Sequence, residues 1–180
     1  MKKIILTAFI LISAVSILAQ GTVIFNNAPS APVFGVDGTT PLAGPNFWAQ
    51  LIGAPGSAVP ESSLLPASPA TTFRTGAGAG FVVPVTSTFN NIPPGAPFAS
   101  LEMVAWDNST GLYPTWAQAS VAWQFGLIAA GHSPEFTLQN FGSSGLFPGL
   151  QSFKLSIPEP GTTVLAGLGG MLFLIFRRRN

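Results

Sequence analysis

Glycine and proline occur 20 and 17 times in these 180 residues, and that punctuation constrains the fold more than any other feature of the chain. Each interrupts regular structure, glycine by its freedom to turn and proline by its fixed φ and missing N–H. Between them stand short β-branched or aromatic runs, at intervals close to those of a sandwich or barrel. With 11% aromatic and only 7% charged residues, the expectation is an all-β fold: an antiparallel β-sandwich of jelly-roll or immunoglobulin-like type with little charged surface. No cysteine is present, so neither disulfides nor thiolate chemistry enter.

The clearest strand pattern covers residues 151–157, where Phe153, Leu155 and Ile157 alternate with Ser152, Lys154 and Ser156. That alternation puts one apolar face against a core and predicts the final strand. Further strands are expected at 22–26, 47–52, 72–74, 81–85, 101–107 and 135–139, with Pro84 demoting its run to an edge or a bulge. Thr115-Trp116-Ala117-Gln118 fits a capping box, and Trp116, Ser120, Trp123 and Leu127 recur at helical spacing, which predicts a short helix over 116–124. A strand through 120–125 is the competing reading. Residues 53–71 and 90–98 read as loops, and 76–80 as a flexible connector. The connector lacks both the Lys-Ser/Thr of a phosphate-binding loop and dinucleotide spacing.

Both ends carry a different signature. Lys2-Lys3, the apolar residues 4–18 and Ala19-Gln20 form the three regions of a secretory signal peptide, with cleavage expected after Ala19 despite Ile17 at the minus-three position. An uncleaved N-terminal anchor is the alternative. At the other end stand Pro158-Glu159-Pro160, an apolar run over 163–176 and the cluster Arg177-Arg178-Arg179. Three arginines after an apolar helix hold that end in the cytoplasm and leave everything before it outside. The run, roughly 14 to 16 residues at 1.5 Å rise, spans about 21 to 24 Å of a hydrocarbon layer near 30 Å, short for a permanent anchor. It reads as a processing signal, dividing the chain into 1–19, a domain over 20–156, and 157–180.

Tripeptide, apolar segment and terminal arginines in that order resemble the PEP-CTERM sorting signal of Gram-negative bacteria. The resemblance implies recognition by exosortase, a membrane cysteine transpeptidase, with cleavage near the tripeptide and delivery to the cell surface or an extracellular polysaccharide matrix. It makes Pro158, Glu159 and Pro160 the recognition residues and Arg177, Arg178 and Arg179 the stop-transfer cluster. Gly161 departs from the family's commoner serine. The implied partners are exosortase and signal peptidase, the inner membrane transiently, and exopolysaccharide. The stretches 21–27, 71–76, 104–107 and 149–153 also resemble the β-rich ectodomains that precede this signal, which imply no activity.

Setting aside the five basic residues of the two end signals changes the charge balance. Of seven basic residues only Arg74 and Lys154 remain, against Asp37, Glu61, Glu102, Asp107, Glu135 and Glu159, so a basic nucleic-acid surface is excluded. Catalytic material is sparse. His132 is the sole histidine, has acid and hydroxyl partners only as sequence neighbours, and reads as a loop residue. One histidine without cysteine does not make a usual zinc set, so no metal or other cofactor is expected. A glycosidase could draw on two of Glu61, Glu102, Glu135 and Asp107, with Glu102 and Trp106 on one strand face, yet no spacing selects a pair. Residues 107–111, Asp-Asn-Ser-Thr-Gly, read as a turn rather than a calcium loop or glycosylation acceptor. Trp48, Trp106 and Trp116, with Trp123, are candidate glycan contacts: exposed indoles would favour a sugar-binding surface and buried ones a passive module. A non-enzymatic surface or matrix protein of structural or adhesive role is expected, with a carbohydrate-binding protein second and a hydrolase third.

Overall fold

The computed structural model describes residues 20–142 and 147–159. Among the described residues the regular elements are mostly β-strands, with one short α-helix. Two long strands, β3 (Gly44–Pro55) and β7 (Phe98–Asp107), pair antiparallel from Phe47↔Asp107 to Pro55↔Ala99 and form the centre of a six-stranded sheet. β4 (Leu65–Pro66) and β5 (Thr71–Phe73) share the free edge of β3, and β8 (Ala130–His132) and β9 (Phe136–Gln139) share that of β7. Short strands side by side on one edge let the chain bend between them, which suits its proline and glycine content.

The period of two gives the central sheet two different faces. On one, Ala49, Leu51, Leu101, Met103 and Ala105 join Val23, Phe25 and Phe89 in the main core. Val23 and Phe25 belong to β1 (Gly21–Phe25) and Phe89 to β6 (Val85–Phe89), an antiparallel pair laid over that face. The layers meet closely at Gly53, where a Cβ would fall 2.4 Å from Leu101 and 2.9 Å from Phe89. On the other face, Ile52, Ala54, Val104 and Trp106 pack under the helix α1 (Trp116–Gln124), whose Ala119 and Ala122 are buried.

Helix α1 covers the predicted span. Thr115 Oγ1 accepts from the Gln118 N–H at 3.4 Å, while the Gln118 side chain meets the Thr115 hydroxyl at 3.0 Å instead of the expected backbone N–H. It ends in a Schellman motif: Gly126 at φ +69° donates to Trp123 O at 2.8 Å, and Leu127 donates to Ala122 O at 2.9 Å.

Several expectations are corrected. β3 runs through Pro45 and Gly53, longer than the punctuation suggested, because Pro45 stands near the strand's start. Residues 81–85 are not a strand; Val82 makes one isolated bridge to Phe73, and the strand begins after Pro84. The connector 76–80 is a docked turn: Gly76–Gly78 is 3₁₀, and Gly80 is buried, donating to Leu42 O at 2.7 Å. The final strand, β10, is only Phe153–Lys154, and it pairs parallel with β2 (Val33–Phe34), so the sheets are not wholly antiparallel. Leu155 is buried as expected, but Ile157 is half-exposed, since the last backbone pairing falls at Ser156. Residues 107–111 do form a turn, in which Asp107 accepts from Ser109 N at 2.8 Å and Gly111 donates to Asn108 O at 2.8 Å. Among the described residues no helix is long and apolar enough to cross a membrane, and the C-terminal apolar run lies outside them.

Candidate functional site

The second face of the central sheet gathers most of the chain's chemistry. Register places Trp48 opposite Trp106, and their rings meet at 6.2 Å. Helix α1 adds Trp116, 5.8 Å from Trp106, and Trp123, 6.2 Å from Trp116. The column ends edge-on against His132 at 6.1 Å. Trp106 is fully buried, and Trp48, Trp116 and Trp123 are partly so. Three indole N–H groups are spent internally, on the carbonyls of Pro45 (3.1 Å), Tyr113 (2.9 Å) and Ser156 (2.8 Å) for Trp48, Trp106 and Trp123 respectively. Of the three candidate glycan contacts, Trp106 is thus inaccessible, and Trp48 and Trp116 present only part of each ring.

Glu102 and Trp106 do share a strand face, and on it Glu102 meets His132. The histidine is not in a loop: it stands on β8, two residues along from the position opposite Glu102 and so on the same face, because Val104 pairs with His132. His132 Nδ1 lies 3.2 Å from Glu102 Oε2 and 3.1 Å from Ser133 O. Both neighbours are acceptors, so Nδ1 carries the proton. One N–H cannot point in line at both; the carbonyl has the hydrogen bond, and Oε2 keeps charge attraction without a directed donor. The Glu102 carboxylate raises the pKa of His132 above its ordinary value, against partial burial that lowers it. Glu102 itself is only 4% exposed.

Glu61, on the 3₁₀ turn Glu61–Ser63, completes the cluster: ligand-type atoms of Glu61, Glu102 and His132 all lie within 4.8 Å of one another. Two of these came from the sequence as loose hydrolase candidates, and their association with His132 was not legible, since 41 and 30 residues separate Glu61 from Glu102 and Glu102 from His132. A triad would need a hydroxyl facing the imidazole. The neighbouring Ser133 Oγ is buried instead, donating to Pro134 O at 2.9 Å and accepting from Met103 N at 3.0 Å. A groove of about 700 Å³ lies elsewhere, lined by Asn26, Ser30, Thr137, Gln139 and Phe147 among others; among the described residues no titratable side chain lines it.

The exit of the chain is built onto the same face. Ser156 and Ala130 exchange backbone bonds of 2.8 and 3.1 Å, and Trp123 holds the Ser156 carbonyl. Just beyond, Pro158 O passes so close to Gly126 that a Cβ there would stand 3.0 Å from it. Pro158 is partly buried and Glu159 exposed. Around this point Phe125 (75% exposed), Leu127 (68%) and Ile157 (51%) present apolar surface. Ala19, Pro160 and Arg177 to Arg179 lie outside the described residues.

That exit coincides with a match to a known protein-sorting motif. The PEP-CTERM protein-sorting motif is found at residues 156–179, which supports an exosortase-targeted exported protein bound for the cell surface or beyond it. The motif begins at Ser156, the last residue paired into the sheet. No curated protein matches the chain, and no solved structure does.

Proposed function

We propose that this is a non-enzymatic surface or matrix protein, a sandwich-type β domain that exosortase sorts and cleaves at its C-terminal signal, with a structural or adhesive role. The observation that carries the reading is the sorting motif at 156–179, joined to the fold without a linker. The aromatic column supports the structural part, because its indoles are committed to packing and to internal hydrogen bonds. The apolar run begins four residues beyond Glu159, about 14 Å of extended chain. So short a tether would bring the apolar surface of Phe125, Leu127 and Ile157 close to the membrane before cleavage. A carbohydrate-binding matrix protein is the second reading, favoured by the groove beside Asn26, Thr137 and Gln139, whose amides and hydroxyl suit a neutral sugar.

Intact mass and fractionation from cells with and without exosortase, comparing native Glu159 with Glu159→Ala, test the proposal. Loss of the tail near Pro160 only when both enzyme and Glu159 are present is the expected result. A tail retained in every strain would refute sorting.

A further inference from the structure

We propose that Glu61, Glu102 and His132 bind one divalent transition-metal ion, with zinc the ion that best fits the set. A carboxylate on a central strand is an unusual thing to bury, and Glu102 is buried beyond nine-tenths with no hydrogen-bond donor directed at Oε2. A second carboxylate is brought toward it, and their ligand-type atoms come within 4.8 Å although like charges repel. A cation between them removes both costs. The imidazole decides the class: Ca²⁺ and Mg²⁺ take oxygen ligands, whereas one nitrogen with two carboxylate oxygens suits zinc and its neighbours.

The geometry needs a small adjustment. Ligand atoms at about 2.0–2.2 Å around a tetrahedral ion lie roughly 3.4 Å apart, so the widest separation in the cluster must close by up to about 1.4 Å. Glu61 can supply the movement, since it is exposed on a three-residue 3₁₀ turn, while Glu102 and His132 are fixed by the sheet. Nδ1, the ring nitrogen 3.2 Å from Glu102 Oε2, is the one placed to coordinate; on binding it would pass its proton to Nε2 and give up the Ser133 carbonyl. Three protein ligands leave a position for water. The ion would tie the turn at Glu61 to the middle of the sheet, a cross-link available to an exported chain without cysteine.

The test uses untagged full-length protein in detergent, stripped with chelator and titrated calorimetrically with Zn²⁺, Mn²⁺ and Ca²⁺. The expected result is one tight Zn²⁺ per chain, at least tenfold weaker binding in Glu61→Gln, loss in His132→Gln, and visible absorption when Co²⁺ replaces Zn²⁺. At a hundredfold excess over Kd the ion should raise Tm by about 5–10 °C. Glu61→Gln alters an exposed side chain and remains informative if the histidine variant fails to fold. The proposal is overturned by no stoichiometric Zn²⁺, by Ca²⁺ binding more tightly than Zn²⁺, or by unchanged affinity in Glu61→Gln.

Discussion

Gly131→Ala tests whether the exit segment is held by close packing on β8. A Cβ at Gly131 would stand 2.6 Å from Lys154 O and 3.4 Å from Leu155 Cα, and these are backbone atoms with no rotamer to yield. Two responses are open. If the backbone absorbs the overlap, the strain costs about 1–3 kcal/mol. If the segment lifts instead, the molecule loses both Ala130–Ser156 bonds and the Trp123–Ser156 bond, at about 1 kcal/mol each. The alternatives do not add and the cheaper one is taken, so the expected destabilisation is about 1–3 kcal/mol, a fall in Tm of about 4–12 °C for a domain of this size. Thermal unfolding followed by circular dichroism gives the total, and hydrogen exchange at the Ser156 amide shows which response occurs. A loss under about 0.5 kcal/mol with unchanged Ser156 protection would refute the reasoning.

Trp123→Phe keeps a ring in the column and deletes the donor to Ser156 O; at about 1 kcal/mol for that bond, opening of residues 156–158 should become about fivefold more frequent, read as faster Ser156 amide exchange. Unchanged exchange would show that the indole does not brace the exit. Because the Glu102 carboxylate raises the pKa of His132, the pair's stabilisation is fully present below the unfolded value near 6.5 and is lost as pH rises through the higher folded value. In chelator, stability should therefore decline from pH 6.5 upward in the native protein, and a His132→Gln variant should lack that decline.

Long, regular elements were legible from sequence. Residues 47–52 and 101–107 read as strands because their apolar runs outlast local punctuation, and α1 was read correctly because Thr115 and the helical spacing of Trp116, Ser120 and Trp123 agree. What stayed hidden was short or long-range. β2, β4 and β8 are two or three residues long, too brief for any periodicity to register. Residues 85–89 escaped because Ser87 is a buried polar side chain and breaks the apparent alternation. His132 looked like a loop residue amid Gly131, Ser133 and Pro134, and only the pairing of β7 with β8 brings it to Glu102. The sorting signal was legible because its information is local: a tripeptide, an apolar run and a charge cluster in fixed order.

The two faces of the central sheet divide the work. The face toward β1 and β6 is predominantly apolar and supplies most of the burial that holds the domain together. The face under α1 carries a buried carboxylate, a histidine, four tryptophans and the departing chain. An all-apolar arrangement there would pack at lower electrostatic cost, so stability alone does not account for Glu102. Its position does: Glu102 pairs with the histidine on β8, and β8 is the strand whose Ala130 and Gly131 hold Ser156 and Lys154 at the start of the sorting motif. Fixing His132 would therefore steady β8, the strand against which Ser156 is held just before the tripeptide. The polar cluster and the anchoring of the exit thus share β8, and binding at His132 would act on the exit only through that strand.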